Sequence, residues 1–468
     1  MNTQNTKRTK IVCTIGPASE SVKTLTEFVN NGMNVARLNF SHGTFETHAK
    51  LIRNLRTVAN KTKQPIAILQ DLQGPKIRVS TLAKPVNITA GKTITIGKDF
   101  GIDYDFSKFV KPGHRILIED GIMELHVKKV QGKNIVCLVK TTGVIKSNKG
   151  INLPDTRITE RVMPDKDVED LKFGLKQNVD YVALSFVRHA KDVNHLRSLI
   201  TKYLPKGMTA PQIIVKIELP EAVLKFDEIL EATDAVMVAR GDLGVEIDEV
   251  KVPVVQKMMI EKCRQAAKPV IVATQMLDSM IRNPRPTRAE VTDVASAVMD
   301  KVDAVMLSGE SAFGAYPVEA VSTMNKIIIE TENSEYVTAE TCEYVGDKES
   351  TEVAMLADSV AYLAESTRSA AIVAGTQTGF TARFLSQPRP HVQLIMLTDN
   401  PTAVRQMALL WGVNPVLHKS VDRVLSYLEK ALALVKKDGL VKKGDKVVLV
   451  TGNPIGRRVN LIEVQTVG

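Results

Sequence analysis

Three stretches of this 468-residue chain end in residues that a buried strand does not need. They are Ile213-Ile214-Val215-Lys216-Ile217-Glu218, Ala235-Val236-Met237-Val238-Ala239-Arg240-Gly241-Asp242 and Val270-Ile271-Val272-Ala273-Thr274. A strand of a buried parallel sheet is almost wholly apolar. A lysine, two carboxylates and a threonine at such ends cost desolvation unless they pair or bind something. Lys216 and Glu218 share a strand face, and taken alone they fit a structural ion pair. Asp242, after the next strand, adds a second carboxylate. Glu218 and Asp242 then suit a hard divalent cation, Mg²⁺ or Mn²⁺, with positions open to substrate. Lys216 would face negative charge developing on the ligand. Gly241 lets backbone approach a ligand, and its N–H suits a carboxylate or phosphate. Thr274 offers a hydroxyl, with a helix N-cap as the alternative.

Other run ends carry the same signature. Arg37-Leu38-Asn39-Phe40-Ser41-His42-Gly43 supplies Arg37, whose planar fork matches phosphate oxygens. His42 reads as a hydrogen-bonding rim residue, not a base. Asp71-Leu72-Gln73-Gly74-Pro75-Lys76-Ile77-Arg78 makes a rigid turn flanked by Asp71, Lys76 and Arg78. Thr287-Arg288-Ala289-Glu290 has capping-box spacing.

Eight apolar runs position these residues: Lys10–Ile15, Val35–Phe40, Ile66–Leu72, Tyr181–Phe186, Ile213–Glu218, Ala235–Ala239, Pro269–Ala273 and Ala304–Ser308. Helical patterns such as Ser21–Asn31 and Phe45–Asn60 separate them. Strand alternating with helix predicts an α/β fold, a (β/α)8 TIM barrel with its functional residues at the strand ends. The barrel is expected over 1–72 and 166–340. Between these parts, 73–165 holds Val86–Ile96, Arg115–Glu119, Ile122–Val130 and Asn134–Thr141, with turns at Ala90-Gly91, Asp120-Gly121 and Gln131-Gly132-Lys133. This predicts an inserted small all-β domain, a β-barrel lid over the site, with passive decoration as the alternative. After the polar linker Glu332–Ser350, strands at Ala370–Ala374, Val392–Leu397, Lys446–Val450 and Val459–Val464 and helices at Glu352–Ser366 and Ser420–Lys436 predict a C-terminal α/β domain, 350–468.

Composition narrows the function. Net charge is +10, but basic residues are dispersed and aromatics make up only 4%, poor for base stacking. Anionic small molecules rank above nucleic acid, which predicts strongly salt-sensitive binding. Cys13, Cys137, Cys263 and Cys342 form no metal or disulfide pattern, and Cys13 reads as a small core hydrophobe. No apolar stretch approaches the ~20 residues of a membrane helix, and the polar start Met1-Asn2-Thr3-Gln4-Asn5-Thr6-Lys7-Arg8 lacks a signal-peptide core. The expectation is a cytoplasmic protein without a membrane partner.

Together these residues resemble the pyruvate kinase family. The likeness runs nearly end to end, through Thr14-Ile15-Gly16-Pro17-Ala18-Ser19, Arg37 to Gly43, Gly74-Pro75-Lys76-Ile77-Arg78, Val215-Lys216-Ile217-Glu218, Val238 to Glu246, Ala273-Thr274-Gln275-Met276-Leu277-Asp278-Ser279-Met280 and Met306-Leu307-Ser308-Gly309-Glu310. It implies phosphoryl transfer from phosphoenolpyruvate to ADP, giving pyruvate and ATP. It implies Glu218 and Asp242 as divalent-metal ligands, Gly241, Asp242 and Thr274 on the substrate carboxylate, and Lys216 on the transferring phosphoryl group and the enolate. Arg37 and Arg78 hold phosphates, with Lys166 beside them. Pro17, Asn39, Phe40, Ser41 and His42 resemble the nucleotide side. A water ordered by Thr274 or Ser308 is one candidate proton donor to the enolate.

Many members need K⁺ and carry Glu where this chain has Lys76. Asn39, Ser41 and Asp71 match the side chains of that cation site, and Leu72-Gln73 ahead of Lys76 resembles the K⁺-independent branch. The expectation is that the Lys76 ammonium replaces K⁺. Likeness also suggests a homotetramer and an effector site for a phosphorylated small molecule at Thr376, Thr378, Gly379 and Thr381. Gln377 and Phe380 depart from the common version, and a capped helix is the alternative. A Mg²⁺-dependent barrel lyase acting on pyruvate or phosphoenolpyruvate is the rival enzyme. It needs the carboxylate pair but not Arg78, Lys166 or the insert.

Overall fold

The computed structural model describes residues 7–156, 158, 163–337, 343–418, 424–451 and 461–468. The polar start through Thr6, Cys342, the first residues of the Ser420 helix and 459–460 of the last predicted strand lie outside them.

Eight parallel strands close into a barrel: Lys10–Thr14, Met33–Asn39, Ala67–Asp71, Tyr181–Leu184, Gln212–Ile217, Ala235–Ala239, Val270–Ala273 and Ala304–Leu307. Each pairs with the next, and the eighth returns to the first with Val12 opposite Met306. Side chains alternate between the helix-covered outside and the interior. Ile213, Val215 and Ile217 join the outer core. Val12, Val35, Leu69, Ala183, Ile214 and Met306 fill the interior. Two residues further along each strand, the inward positions become Thr14, Arg37, Asp71, Ser185, Lys216 and Ser308. The barrel is thus apolar at its base and polar at its carboxyl rim.

Residues after the third strand form antiparallel sheets around their own core, which includes Ile96, Phe106, Ile116, Leu125 and Ile135. Six strands take the spatial order Ile77–Arg78, Gly150–Asn152, Arg115–Ile118, Met123–Gln131, Asn134–Val139 and Thr93–Ile96. A two-stranded ribbon pairs Val86–Ile88 with Gly143–Ile145. The run expected over Val86–Ile96 therefore splits, because the chain turns at Thr89–Lys92 and its halves join different sheets. The described strands make an open sheet rather than the expected small barrel. Among the described residues only isolated bridges, Val79 with Ile102 and Ile96 with Phe100, continue past its edges. The entering strand Ile77–Arg78 pairs with the leaving strand Gly150–Asn152, so both crossings to the barrel share one hinge.

The C-terminal unit is a five-stranded sheet ordered Val413–Leu417, Gln393–Thr398, Ala371–Gly375, Lys446–Thr451 and Leu461–Thr466, the last antiparallel. The Val413–Leu417 strand escaped the sequence reading, since Pro415 and a short, half-polar run hide it. The first helix here starts at Lys348, earlier than expected, because Asp347 accepts from the Ser350 N–H at 2.9 Å and caps it.

This unit plugs the barrel base. Ala408 and Leu409 complete the interior core. Around them, Arg405 meets Asp180 at 2.6 Å and Arg389 meets Asp303 at 2.9 Å.

Candidate active site

The inward residues of strands one, two, three, four and five meet in one charged network. Arg37 donates from Nε to Asp71 Oδ2 at 2.6 Å and from Nη1 to Thr14 Oγ1 at 2.8 Å. Lys216 Nζ donates to Ser185 Oγ at 2.9 Å and lies 2.9 Å from Glu218 Oε1 and 3.5 Å from Asp71 Oδ1. Glu218 also accepts from the Phe186 N–H at 2.7 Å. Burial alone would lower the Lys216 pKa, but the Asp71 and Glu218 carboxylates outweigh it and hold the ammonium charged. Burial alone would raise Asp71, yet Lys216 and Arg37 keep it below the usual carboxylate range. Glu218 goes the other way: burial and the neighbouring Asp242 charge raise it despite Lys216.

The buried Glu218 oxygen bears on the fit to a metal. Two carboxylates press on each other, and Glu218 Oε1 receives no hydrogen bond of good geometry. A divalent cation would relieve both. Among the described residues no group of three or more His, Cys, Asp or Glu gathers for a metal, so a cation held by Glu218 and Asp242 would draw its other ligands from elsewhere. Lys76 Nζ donates to Asp242 Oδ1 at 2.9 Å. The ammonium thus lies on Asp242, while Asp71 is engaged by Arg37 and Lys216.

Asp242 rides on a short helix, Arg240–Glu246, that starts directly after the sixth strand. Thr274 and Gln275 follow the seventh strand with φ of 71° and 54°. Two consecutive non-glycine residues in the left-handed region are strained. Arg240 holds the turn, donating to the Thr274 carbonyl at 2.7 Å while pairing with Asp293 at 2.7 Å. The Thr274 hydroxyl accepts from the Gly241 N–H at 2.7 Å. It is not the N-cap of a helix in its own segment; it takes up a first-turn N–H of the helix Arg240–Glu246, so the Gly241 N–H is engaged inside the protein.

A second cluster flanks the first. Asn39 Oδ1 accepts from the Ser41 N–H at 3.1 Å. Lys166 Nζ donates to the Phe40 carbonyl at 2.7 Å and to Asp170 at 2.7 Å. Arg78, on the insert, donates to the Asn148 carbonyl at 3.2 Å. Burial lowers the His42 pKa, and Arg78, Arg37 and Lys166 lower it further. Those cations therefore share one field, which attracts polyanions. Pro17 is exposed at the turn after the first strand.

Sequence reasoning missed Thr14, Ser185 and Glu310 as site residues. Thr14 and Ser185 follow the same period-two rule as Lys216, and counting inward positions would have found them. Glu310 is buried and accepts from the Ser308 N–H at 2.8 Å and the Leu277 N–H at 3.1 Å, fixing the loops after strands seven and eight. Its motif was noted without a role. The capping box is formed as expected: Thr287 accepts from the Glu290 N–H and Glu290 from the Thr287 N–H. Cys13 is fully buried, and burial pushes its thiol far up.

In the C-terminal sheet, Thr376 is buried and accepts from the Gly379 N–H at 3.0 Å, Thr378 is exposed and Thr381 is buried. These contacts build a turn into the seven-residue helix Phe380–Ser386.

Comparison with known proteins agrees with this layout. The family model for the pyruvate kinase barrel domain matches residues 6–321, and that for the pyruvate kinase alpha/beta domain matches 354–465. A pyruvate kinase of Geobacillus stearothermophilus is 43% identical over 475 residues, covering 98% of this chain and 80% of that relative. One of Staphylococcus aureus (strain MRSA252) is 41% identical over 476 residues, covering 99% and 81%. The solved structure of a pyruvate kinase from Cryptosporidium parvum superposes with a TM-score of 0.90 at 36% identity, covering 100% of this chain and 97% of that one.

Proposed function

This chain belongs to the pyruvate kinase family, and from that premise we propose how its own residues divide the transfer of a phosphoryl group from phosphoenolpyruvate to ADP. The observation that carries the reading is the buried Arg37–Asp71–Lys216–Glu218 network with Asp242 beside it.

The family uses a divalent metal, and Glu218 and Asp242 would hold it here as Mg²⁺ or Mn²⁺. When bound, that ion neutralises phosphoryl and enolate oxygens. Phosphoryl transfer asks for positioning and charge neutralisation more than covalent work by the protein. Lys216, kept charged by two carboxylates, stabilises the group in transfer and the enolate oxygen left behind. Arg37, with Nε and Nη1 anchored, presents its remaining face to phosphate. Thr274 and the backbone at Gly241–Asp242 border the substrate carboxylate. Arg78 and Lys166 face the nucleotide phosphates, with Pro17 and Asn39 to His42 along that side. The insert closes as a lid and excludes water, the acceptor that competes with ADP. A lyase is not favoured, since it gives no use to Arg78, Lys166 or the insert.

Three finer assignments belong to the same reading. Lys76 supplies in this site the positive charge that K⁺ supplies elsewhere, although its ammonium rests on Asp242 at 2.9 Å and not on the Asn39, Ser41 and Asp71 side chains. A phosphorylated effector binds at Thr376, Thr378, Gly379 and Thr381. In support, these lie where the strand order reverses, and the buried Thr451 hydroxyl across that switch point has no partner among the described residues. The protein works as a cytoplasmic homotetramer. No helix among the described residues is long and apolar enough to cross a membrane, in keeping with that location.

The test is ADP-dependent pyruvate release, read through lactate dehydrogenase and NADH. Activity should require Mg²⁺ or Mn²⁺ and persist without K⁺ or NH₄⁺. Lys76→Glu should create a monovalent-cation requirement. Negligible wild-type activity without K⁺, rising steeply on its addition, would reject the Lys76 role.

A further inference from the structure

We propose that Asn152 and Glu246 form a latch between the lid and the helix that carries Asp242. Asn152 ends the lid strand Gly150–Asn152, and its Nδ2 donates to Glu246 Oε1 at 2.8 Å. Glu246 is the last residue of the helix Arg240–Glu246, one turn beyond Asp242. Residues four apart share a helix face. That face therefore receives two lid-side contacts, Lys76 on Asp242 and Asn152 on Glu246. A third approach comes between them, where a methyl placed on Gly121 of the lid would meet Val245 at 3.8 Å.

The lid side is rigid. Asn152 pairs across the sheet with Leu117, and Ile151 pairs with both Ile77 and Ile118, so the strand bearing Asn152 moves with the hinge strand. Beside these contacts a cleft of about 270 Å³ remains at the hinge, lined by Lys76, Asn152, Phe186, Arg188, Glu221 and Glu246 among others. Lid and barrel thus touch here through a few polar contacts rather than a packed seam. Asn152 is only 4% exposed, yet its Oδ1 finds no partner among the described residues. A buried amide oxygen left unsatisfied is costly. It persists here with the amide aimed at Glu246. The latch sets where Asp242 sits when the lid is down. Asn152 and Glu246 are positioning residues and touch no reacting atom.

This proposal rests on the insert acting as a lid over a phosphoryl-transfer site. Wild-type turnover tests that premise separately. The latch is tested by an exchange of polarity. Asn152→Ala and Glu246→Ala should each lower kcat about tenfold in protein that still melts cooperatively, with faster amide exchange at 150–152 in the presence of Mg²⁺ and oxalate. The double alanine variant should lose no more than either single one, because both remove one interaction. Asn152→Asp places a carboxylate against Glu246 and should be worse than Asn152→Ala. Adding Glu246→Gln to it restores a donor–acceptor pair of reversed direction and should recover kcat to within about threefold of wild type. Losses that multiply in the double variant, or an exchange variant no better than Asn152→Asp alone, would overturn the latch even if the wild-type enzyme is fully active. Should an alanine variant fail to fold, the exchange pair, which keeps both side-chain volumes, still decides.

Discussion

At the scale of single residues, Lys216 is the most constrained group in the site. It stands 12% exposed between carboxylates that are each 1% exposed. Lys216→Met should remove the charge aimed at the phosphoryl group and lower turnover by about 10²–10³-fold or more, as loss of a preorganised charge partner does. It should also cost roughly 3–5 kcal/mol of stability, since Asp71 and Glu218 are left with uncompensated buried charge. Urea titration beside the rate assay separates the two effects. Glu246 gives a pH-dependent prediction. Burial, and then the charges of Asp242 and Glu218, push its carboxyl up to about 7 against the Asn152 hydrogen bond and Arg188. The folded state then holds a proton that the unfolded state releases near its ordinary carboxylate pKa. Stability from this group is therefore lost as pH rises toward about 7. Glu246→Gln should melt higher than wild type at pH 8, with the gap closing at pH 4, which thermal scans across that range will show.

At the scale of elements, the hinge depends on a helix start. Asp167, in the first turn of Asp165–Lys176, accepts from the Gln73 N–H at 3.2 Å and the Gly74 N–H at 2.8 Å. The chain leaves the barrel for the insert just after this point and is back beside it at the helix. Gly74 has φ of 72°, and a Cβ there would sit 2.8 Å from the Ser185 and Phe186 side chains. Asp167→Ala should free two hinge N–H groups at a cost of roughly 1–3 kcal/mol for each that stays buried and unpaired. Hydrogen exchange should accelerate at residues 73–74 before it does in the barrel strands. Uniform acceleration across the barrel would instead mean a global loss of stability.

At the scale of the whole molecule, the C-terminal unit keeps its own cores but sends Ala408 and Leu409 into the interior core of the barrel. Leu409 is fully buried within the base layer of the barrel, against residues such as Val12, Leu69 and Ile214. The Arg389–Asp303 and Arg405–Asp180 pairs surround this plug. Leu409→Ala should leave a cavity and destabilise by roughly 2–5 kcal/mol. Both units should lose stability together in denaturant, as one transition by two probes. Two separated transitions in the wild-type protein would show that the plug does not couple them.

The sequence alone determined the eight barrel strands, to within two residues at each end, and the polar residues that gather at their carboxyl rim. Period-two alternation and apolar runs are local properties, and a charge at a strand end is conspicuous wherever the strand lies. It also brought Lys216, Glu218, Asp242 and Thr274 to one rim, because their strands are neighbours in the barrel. Tertiary structure alone decided which charge meets which. Nothing local sets Lys76 on Asp242, Asp71 between Arg37 and Lys216, or Asn152 on Glu246. The same holds for Leu409 in the barrel base, where a C-terminal residue fills space left by strands hundreds of residues earlier. Such contacts depend on how distant segments pack, and local periodicity does not encode that.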